Sequence, residues 1–306
     1  VIRPLIGRAA VALVLVAPSL SAQQQRPPED PHAEHAAHAA HAPAGGVRPS
    51  QQQTGIPAGA AEAKARVDAS PRHHEYVKIA TSPGSRDSIA AWVVFPERAT
   101  KAPVVVVIHE IFGLTTWIRG VADQLAADGF IAIAPDLMTG KIDPSVPDSN
   151  PRLATQVIRT LDPQVVQAQL TAVGEWGLKL PAAAGKSYGV VGFCWGGSTS
   201  FMQAVSNPDL GAAVVYYGSS PAAADLQRVR APVLGLYGAD DARVNVTVAP
   251  ADSTLKALGR SFEYHFFEGA GHGFLRAQDQ REGANLKAAQ AAWPMTVAFF
   301  RKHLGA

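Results

Sequence analysis

The feature that most constrains the fold of this chain is the hexapeptide Gly192-Phe193-Cys194-Trp195-Gly196-Gly197. It closes a run of strand type, Ser187–Gly192, and opens a run of helical type, Trp195–Ser206. A chain passing so quickly from strand to helix turns so tightly that side chains flanking the turn collide, and glycines at 192 and 196 remove them. Such a turn belongs to a sheet whose strands feed helices on its faces, and the surrounding sequence has that rhythm. Val104–Ile108 is a continuous apolar, β-branched run, typical of a strand buried on both faces. Trp117, Val121 and Leu125 follow at helical spacing, and Gly129 ends that helix. Phe130–Ala134, Ala212–Tyr217, Val233–Tyr237 and Phe262–Phe267 read as further strands. Gln164–Leu180, Thr247–Leu258 and Arg281–Leu304 read as helices, and His74–Thr81 and Ile89–Phe95 as an antiparallel pair. Repeated alternation of this kind predicts an α/β fold with a mostly parallel central sheet and helices on both faces. Residues 136–162 form a long connection rich in Pro and Asp, expected to cover the site.

The N-terminal part is different material. Residues 1–22 carry Arg3 and Arg8, an apolar run from Ala9 to Val16, and small residues at Ser19, Ser21 and Ala22. This is the pattern of a cleaved secretory signal, so a periplasmic or secreted location is expected. The apolar run is too short to span a bilayer, and an uncleaved interfacial anchor is the competing reading. Residues 23–70 are rich in Gln, Pro, Ala, Gly and His without apolar periodicity, which predicts a disordered linker. His32, His35, His38 and His41 recur there at every third position. Imidazoles so spaced can chelate Zn²⁺, Cu²⁺ or Ni²⁺ weakly, although a solvated tail with no role is the simpler reading. The catalytic domain is then residues 71–306, about 235 residues, enough for one large α/β core.

A net charge of +2, with no stripe of Lys or Arg, argues against nucleic acid or an anionic membrane surface as partner. Cys194 is the single cysteine, so the fold has no internal disulfide. A lone exposed thiol in an oxidising compartment is a chemical liability, which directs attention to its purpose.

A strand–turn–helix elbow lifts the side chain at its apex above the carboxyl edge of the sheet, open to solvent, where ligands bind in such folds. The helix N-terminus beneath it stabilises a thiolate and a developing oxyanion. The hexapeptide is therefore a nucleophile elbow with cysteine in the place of serine. The competing reading is a small buried core cysteine. Two further segments favour the first. Gly238-Ala239-Asp240-Asp241 begins where the strand Val233–Tyr237 stops, so Asp240 or Asp241 can face the elbow. Gly269-Ala270-Gly271-His272-Gly273-Phe274 follows the strand Phe262–Phe267 and sets His272 among glycines. The order nucleophile, acid, histidine is that of α/β-hydrolases.

From about residue 75 onward the chain resembles the dienelactone hydrolase family. The likeness rests on His109-Glu110-Ile111-Phe112-Gly113, Pro135-Asp136-Leu137, the elbow at Cys194, and Gly271-His272-Gly273-Phe274. It implies a single-domain α/β-hydrolase that needs no metal or organic cofactor. Cys194 would be the nucleophile, His272 the base and Asp241 the orienting acid, its Asp-x-x-Val spacing fitting the family. Glu110 would sit beside the thiol and help deprotonate it when substrate arrives. The backbone N–H groups of Ile111 and Trp195 would hold the oxyanion. Arg276 would grip a substrate carboxylate, with Arg152 or Arg159 as its second. Trp195, bulky and next to the nucleophile, would narrow the acyl pocket, and residues 138–162 give no clear match. The implied substrate is a small ester or lactone, anionic if the arginines bind it. Two rivals remain: a general carboxylesterase with no carboxylate preference, and a non-catalytic hydrolase-fold protein that binds a metal or partner through its tail.

Overall fold

The computed structural model describes residue 1 and residues 55–82 and 85–305. Apart from Val1, the predicted signal 1–22, the linker as far as residue 54 and the histidine repeat lie outside the described residues.

Eight strands form one sheet: β1 (His74–Ala80), β2 (Ser88–Val94), β3 (Ala102–Ile108), β4 (Ile131–Pro135), β5 (Ala183–Phe193), β6 (Ala212–Tyr216), β7 (Val233–Gly238) and β8 (Phe262–Phe267). Their order across the sheet is β1-β2-β4-β3-β5-β6-β7-β8. β1 pairs with β2, and β2 with β4, in antiparallel fashion; every other pair is parallel. The mostly parallel sheet predicted from the alternation is present, with the antiparallel pair at one edge.

The helices that cover it are α1 (Ala63–Asp68), α2 (Thr116–Ala127), α3 (Val146–Ser149), α4 (Pro151–Ile158), α5 (Pro163–Leu178), α6 (Trp195–Ser206), α7 (Ala223–Leu226), α8 (Ala242–Asn245), α9 (Val248–Ala257) and α10 (Ala284–Leu304). The period of two along β3 divides them into two layers. Val105 and Val107 join a core cluster with Trp117 and Ile118 of α2 and Trp293 and Phe300 of α10. Val104, Val106 and Ile108 join a second cluster with Val166, Leu170 and Val173 of α5, Phe201 of α6 and Leu255 of α9. Every residue of β3 is buried, which explains why its sequence is a continuous apolar run rather than an alternation.

Three segments differ from the sequence-based expectation. The linker does not extend to residue 70: Ile56 and Ala63 are buried in the core and residues 63–68 are helical. Two small anchors in a Pro/Ala/Gly stretch are too few to create a periodic signal. Residues 136–162 are not a bare connection. Asn150 accepts a hydrogen bond from the Leu153 N–H, Pro151 starts α4, and Asp162 caps α5 ahead of Pro163. The prolines that look like breakers stand at helix starts, where a missing N–H has no consequence. The last helix begins at Ala284 rather than Arg281, because Glu282 (φ 51°) and Gly283 (φ 89°) are left-handed. No helix among the described residues is long and apolar enough to cross a membrane.

Candidate active site

The elbow at the end of β5 is as tight as its glycines predict. Cys194 has φ 57° and ψ −116°, a conformation that costs a non-glycine residue on the order of 1–3 kcal/mol. The surroundings hold it there. Its N–H donates to the Tyr216 carbonyl at 3.1 Å, and its carbonyl accepts the Ser198 N–H at 3.1 Å. A Cβ at Gly192 would stand 1.8 Å from the Gly196 carbonyl oxygen, and one at Gly196 would stand 2.3 Å from that of His109. Any side chain at either position would force the nucleophile strand away from its neighbours. The thiol is not open to solvent as the elbow geometry suggested. Cys194 is 7% exposed and belongs to the core cluster that contains Tyr216, Tyr217 and Phe274. The cluster draws on residues from other strands and loops, which the local motif does not reveal.

The acid and the imidazole arrive from the ends of β7 and β8. His272 donates from Nδ1 to the Oδ2 of Asp241 at 2.5 Å, and Cys194 lies near enough to the imidazole to interact with it electrostatically. Burial disfavours a charged imidazole, but the Asp241 carboxylate and the neighbouring Cys194 sulfur outweigh it and raise His272 to about 9. Asp240, the alternative acid, points elsewhere. It pairs with Arg281 at 2.6 Å, and both side chains are more than two-fifths exposed. The buried Asn285 ties the two ends of the histidine loop together, accepting from the Gly271 N–H at 3.1 Å and donating to the Ala277 carbonyl at 2.8 Å. Asn245 does the same for the acid loop, donating to the carbonyls of Gly238 and Ala239.

Glu110 follows β3, and its carboxylate lies 2.9 Å from Nε of Arg276. It is 5% exposed, and burial pushes its carboxyl up from the ordinary value against the opposing pull of Arg276 and then His272. The Arg276 guanidinium also lies over the Phe112 ring, 5.2 Å from its centroid. The structure therefore brings Cys194, His272, Asp241, Glu110 and Arg276 together. The other two arginines, Arg152 and Arg159, are exposed, one in the first turn of α4 and the other at its C-cap. The N–H of Trp195, at the first position of α6, has no acceptor within its own helix. The N–H of Ile111 donates to no backbone carbonyl among the described residues.

Two residues in the site carried no role in the sequence reading. His109 is fully buried, donates from Nδ1 to the Glu110 carbonyl at 2.7 Å, and accepts the Leu137 N–H at Nε2 at 3.3 Å. Burial lowers its pKa, so it is a neutral spacer that pins the Glu110 backbone. Tyr217 has φ 40°, is fully buried, and lays its ring 5.1 Å from that of His272. A tyrosine ending the strand next to the elbow strand was the available signal. Among the described residues, no group of three or more His, Cys, Asp or Glu side chains is placed to hold a metal ion.

The chain is similar to known proteins over most of its length. The family model described as "Dienelactone hydrolase family" matches residues 89–304. A protein of Salmonella typhimurium named "Putative carboxymethylenebutenolidase" is 31% identical over 239 residues, covering 74% of this chain and 87% of its own. An Escherichia coli protein of the same name is 28% identical over 266 residues, covering 83% of this chain and 97% of its own. The crystal structure of a "Putative Dienelactone Hydrolase" from Klebsiella pneumoniae superposes with a TM-score of 0.64 at 30% identity, covering 74% of this chain and 98% of that one. With its eight-stranded sheet and its match across more than two-thirds of the chain, the protein is a hydrolase that belongs to the dienelactone hydrolase family.

Proposed function

We propose that the protein cleaves small esters or lactones of the dienelactone type through a thioester on Cys194. The observation that carries this reading is the hydrogen bond from His272 Nδ1 to Asp241 at the strand ends, with Cys194 near enough to the same imidazole to raise its pKa. The sulfur, as thiolate beside the His272 imidazolium, attacks the carbonyl carbon. The oxyanion lies against the N–H groups of Ile111 and Trp195, each such donor contributing about 3 kcal/mol to the barrier reduction. The carbon–oxygen bond to the leaving group breaks, the departing alkoxide or enolate takes the proton from His272, and a thioester remains. Water then attacks the thioester, gives its proton to His272, and the sulfur leaves as thiolate. Because a thiolate departs more easily than an alkyl alkoxide, this nucleophile suits activated leaving groups such as the enolate of an enol-lactone.

Glu110 and Arg276 give the site a second device. In the structure the carboxylate is held by the guanidinium. An arriving substrate carboxylate competes for Arg276, which frees Glu110, a buried base, to accept the thiol proton. The test is a screen of enol-lactones, simple esters and thioesters, with Cys194→Ala as blank. Loss of all turnover, including that of p-nitrophenyl acetate, is expected in the variant; turnover at wild-type rates refutes the assignment.

A further inference from the structure

Residues 56–63, within the stretch whose composition predicts a linker, cross the loop that carries Arg276. The Ala60 N–H donates to the Arg276 carbonyl at 2.8 Å. The side-chain amide of Gln278 donates to the Pro57 carbonyl at 2.8 Å and to the Leu275 carbonyl at 2.9 Å, so it ties the strap to the turn on which the arginine sits. Trp117 of α2 donates from its indole to the Ala58 carbonyl at 3.1 Å. Ile56 and Ala63 bury the two ends of the strap in the core. The approach is close: a Cβ at Gly59 would stand 3.4 Å from both the Arg276 carbonyl and the Gln278 Cβ, and 3.2 Å from the Glu62 carboxylate. The backbone of Arg276 is thus held by the strap while its side chain reaches Glu110 and Phe112. The strap also precedes the stretch that matches the family model, residues 89–304.

We propose that residues 56–63 set the charge preference of the site, by fixing the Arg276 backbone so that its guanidinium points where a substrate carboxylate docks. This rests on the reading of Arg276 as the carboxylate anchor. A guanidinium recognises a carboxylate through paired, directional N–H bonds, so the geometry of its stem decides how much of that interaction is realised. A small rotation of the backbone is magnified along the long side chain. The thiol and the imidazole are supported from elsewhere: Cys194 through the backbone of Tyr216 and Ser198, and His272 through Asp241 and the Asn285 side chain that holds its loop. Loosening the strap therefore weakens binding of anionic esters and leaves neutral esters alone.

The experiment uses the full chain and two esters with the same leaving group, p-nitrophenyl hemisuccinate (anionic) and p-nitrophenyl butyrate (neutral). Gln278→Leu removes the amide, and Gly59→Val presses on the loop from the strap side. Arg276→Ala is run in parallel, and all three are checked by circular dichroism and thermal melting. The expected result for both strap variants is a rise of about three- to tenfold in KM for the hemisuccinate, the equivalent of about one hydrogen bond, with kcat unchanged and kcat/KM for butyrate within about twofold of wild type. Equal losses on both esters, or no change on either while Arg276→Ala shifts the ratio, overturn the strap proposal and leave the anchor reading intact. An unchanged ratio in Arg276→Ala overturns the anchor reading and the strap proposal with it.

Discussion

The two walls of the site are built on different principles. The wall that holds Cys194 stands on the carboxyl ends of parallel strands, β5 being buried from Tyr188 to Phe193, and its geometry is fixed by backbone packing: glycine against carbonyl, and N–H to carbonyl. The wall that holds Arg276 stands on a loop, and its geometry is fixed by single side-chain and backbone bonds from segments distant in sequence. In the proposed function, chemistry rests on the first and substrate choice on the second. The two walls therefore respond differently to substitution: a change in the loop wall alters one bond at a time, whereas a change at the elbow displaces strands.

The largest effect expected from that contrast is at Gly196. Gly196→Val places a side chain into the carbonyls of Ile108 and His109, and overpacking against backbone costs about 3 kcal/mol or more. Loss of soluble expression, or a large drop in melting temperature, is the outcome to measure. A variant that melts like wild type would break the claim that backbone packing fixes this wall.

Next comes Asp241→Asn. Without the carboxylate, His272 loses its orienting partner, and kcat/KM falls roughly a thousandfold. The pH profile sharpens the point. His272 is raised from 6.5 to about 9, so the protonated imidazole persists through neutral pH and is lost as pH climbs through about 9. Wild-type kcat/KM therefore falls on an alkaline limb near pH 9, and in Asp241→Asn that limb moves down toward neutral. The same sign holds for stability: what this pairing contributes is complete below about pH 6.5 and gone above about pH 9. An alkaline limb that stays in place in the variant would contradict the assignment.

The smallest effect is expected one residue away. Asp240 pairs with Arg281 on the surface, and such pairs contribute within about 1 kcal/mol. Asp240→Asn is expected to keep kcat/KM within about threefold of wild type. A loss as deep as that of Asp241→Asn would mean that the two acids have been assigned the wrong way round.

How much of this was legible in the sequence follows the same division. The elbow, the acid turn and the histidine turn are local: each is a few residues long, follows an apolar strand, and has a glycine where backbone approaches backbone. Their chain order already implied a common site. The strap was not legible, because a Gln side chain reaching a carbonyl more than two hundred residues away leaves no pattern, and Ile56 and Ala63 are too sparse to show periodicity. The burial of Cys194 was hidden for a related reason. Cys194 belongs to a cluster with Tyr217 and with Phe274 of the histidine loop, residues that the sequence does not place beside the elbow. The choice between Asp240 and Asp241 needed coordinates too, since Arg281 claims the first through a left-handed turn at residues 281–283.

The central claim is a covalent bond between the substrate acyl group and the sulfur of Cys194. Its most direct test is to mix the protein with excess p-nitrophenyl ester, quench in acid within the first turnovers, and locate the acyl group by peptide mass spectrometry. An acyl mass is expected on the peptide containing Cys194, removed by hydroxylamine and absent from Cys194→Ala. An acyl group on another residue, or steady turnover with no acyl group on Cys194, would contradict it.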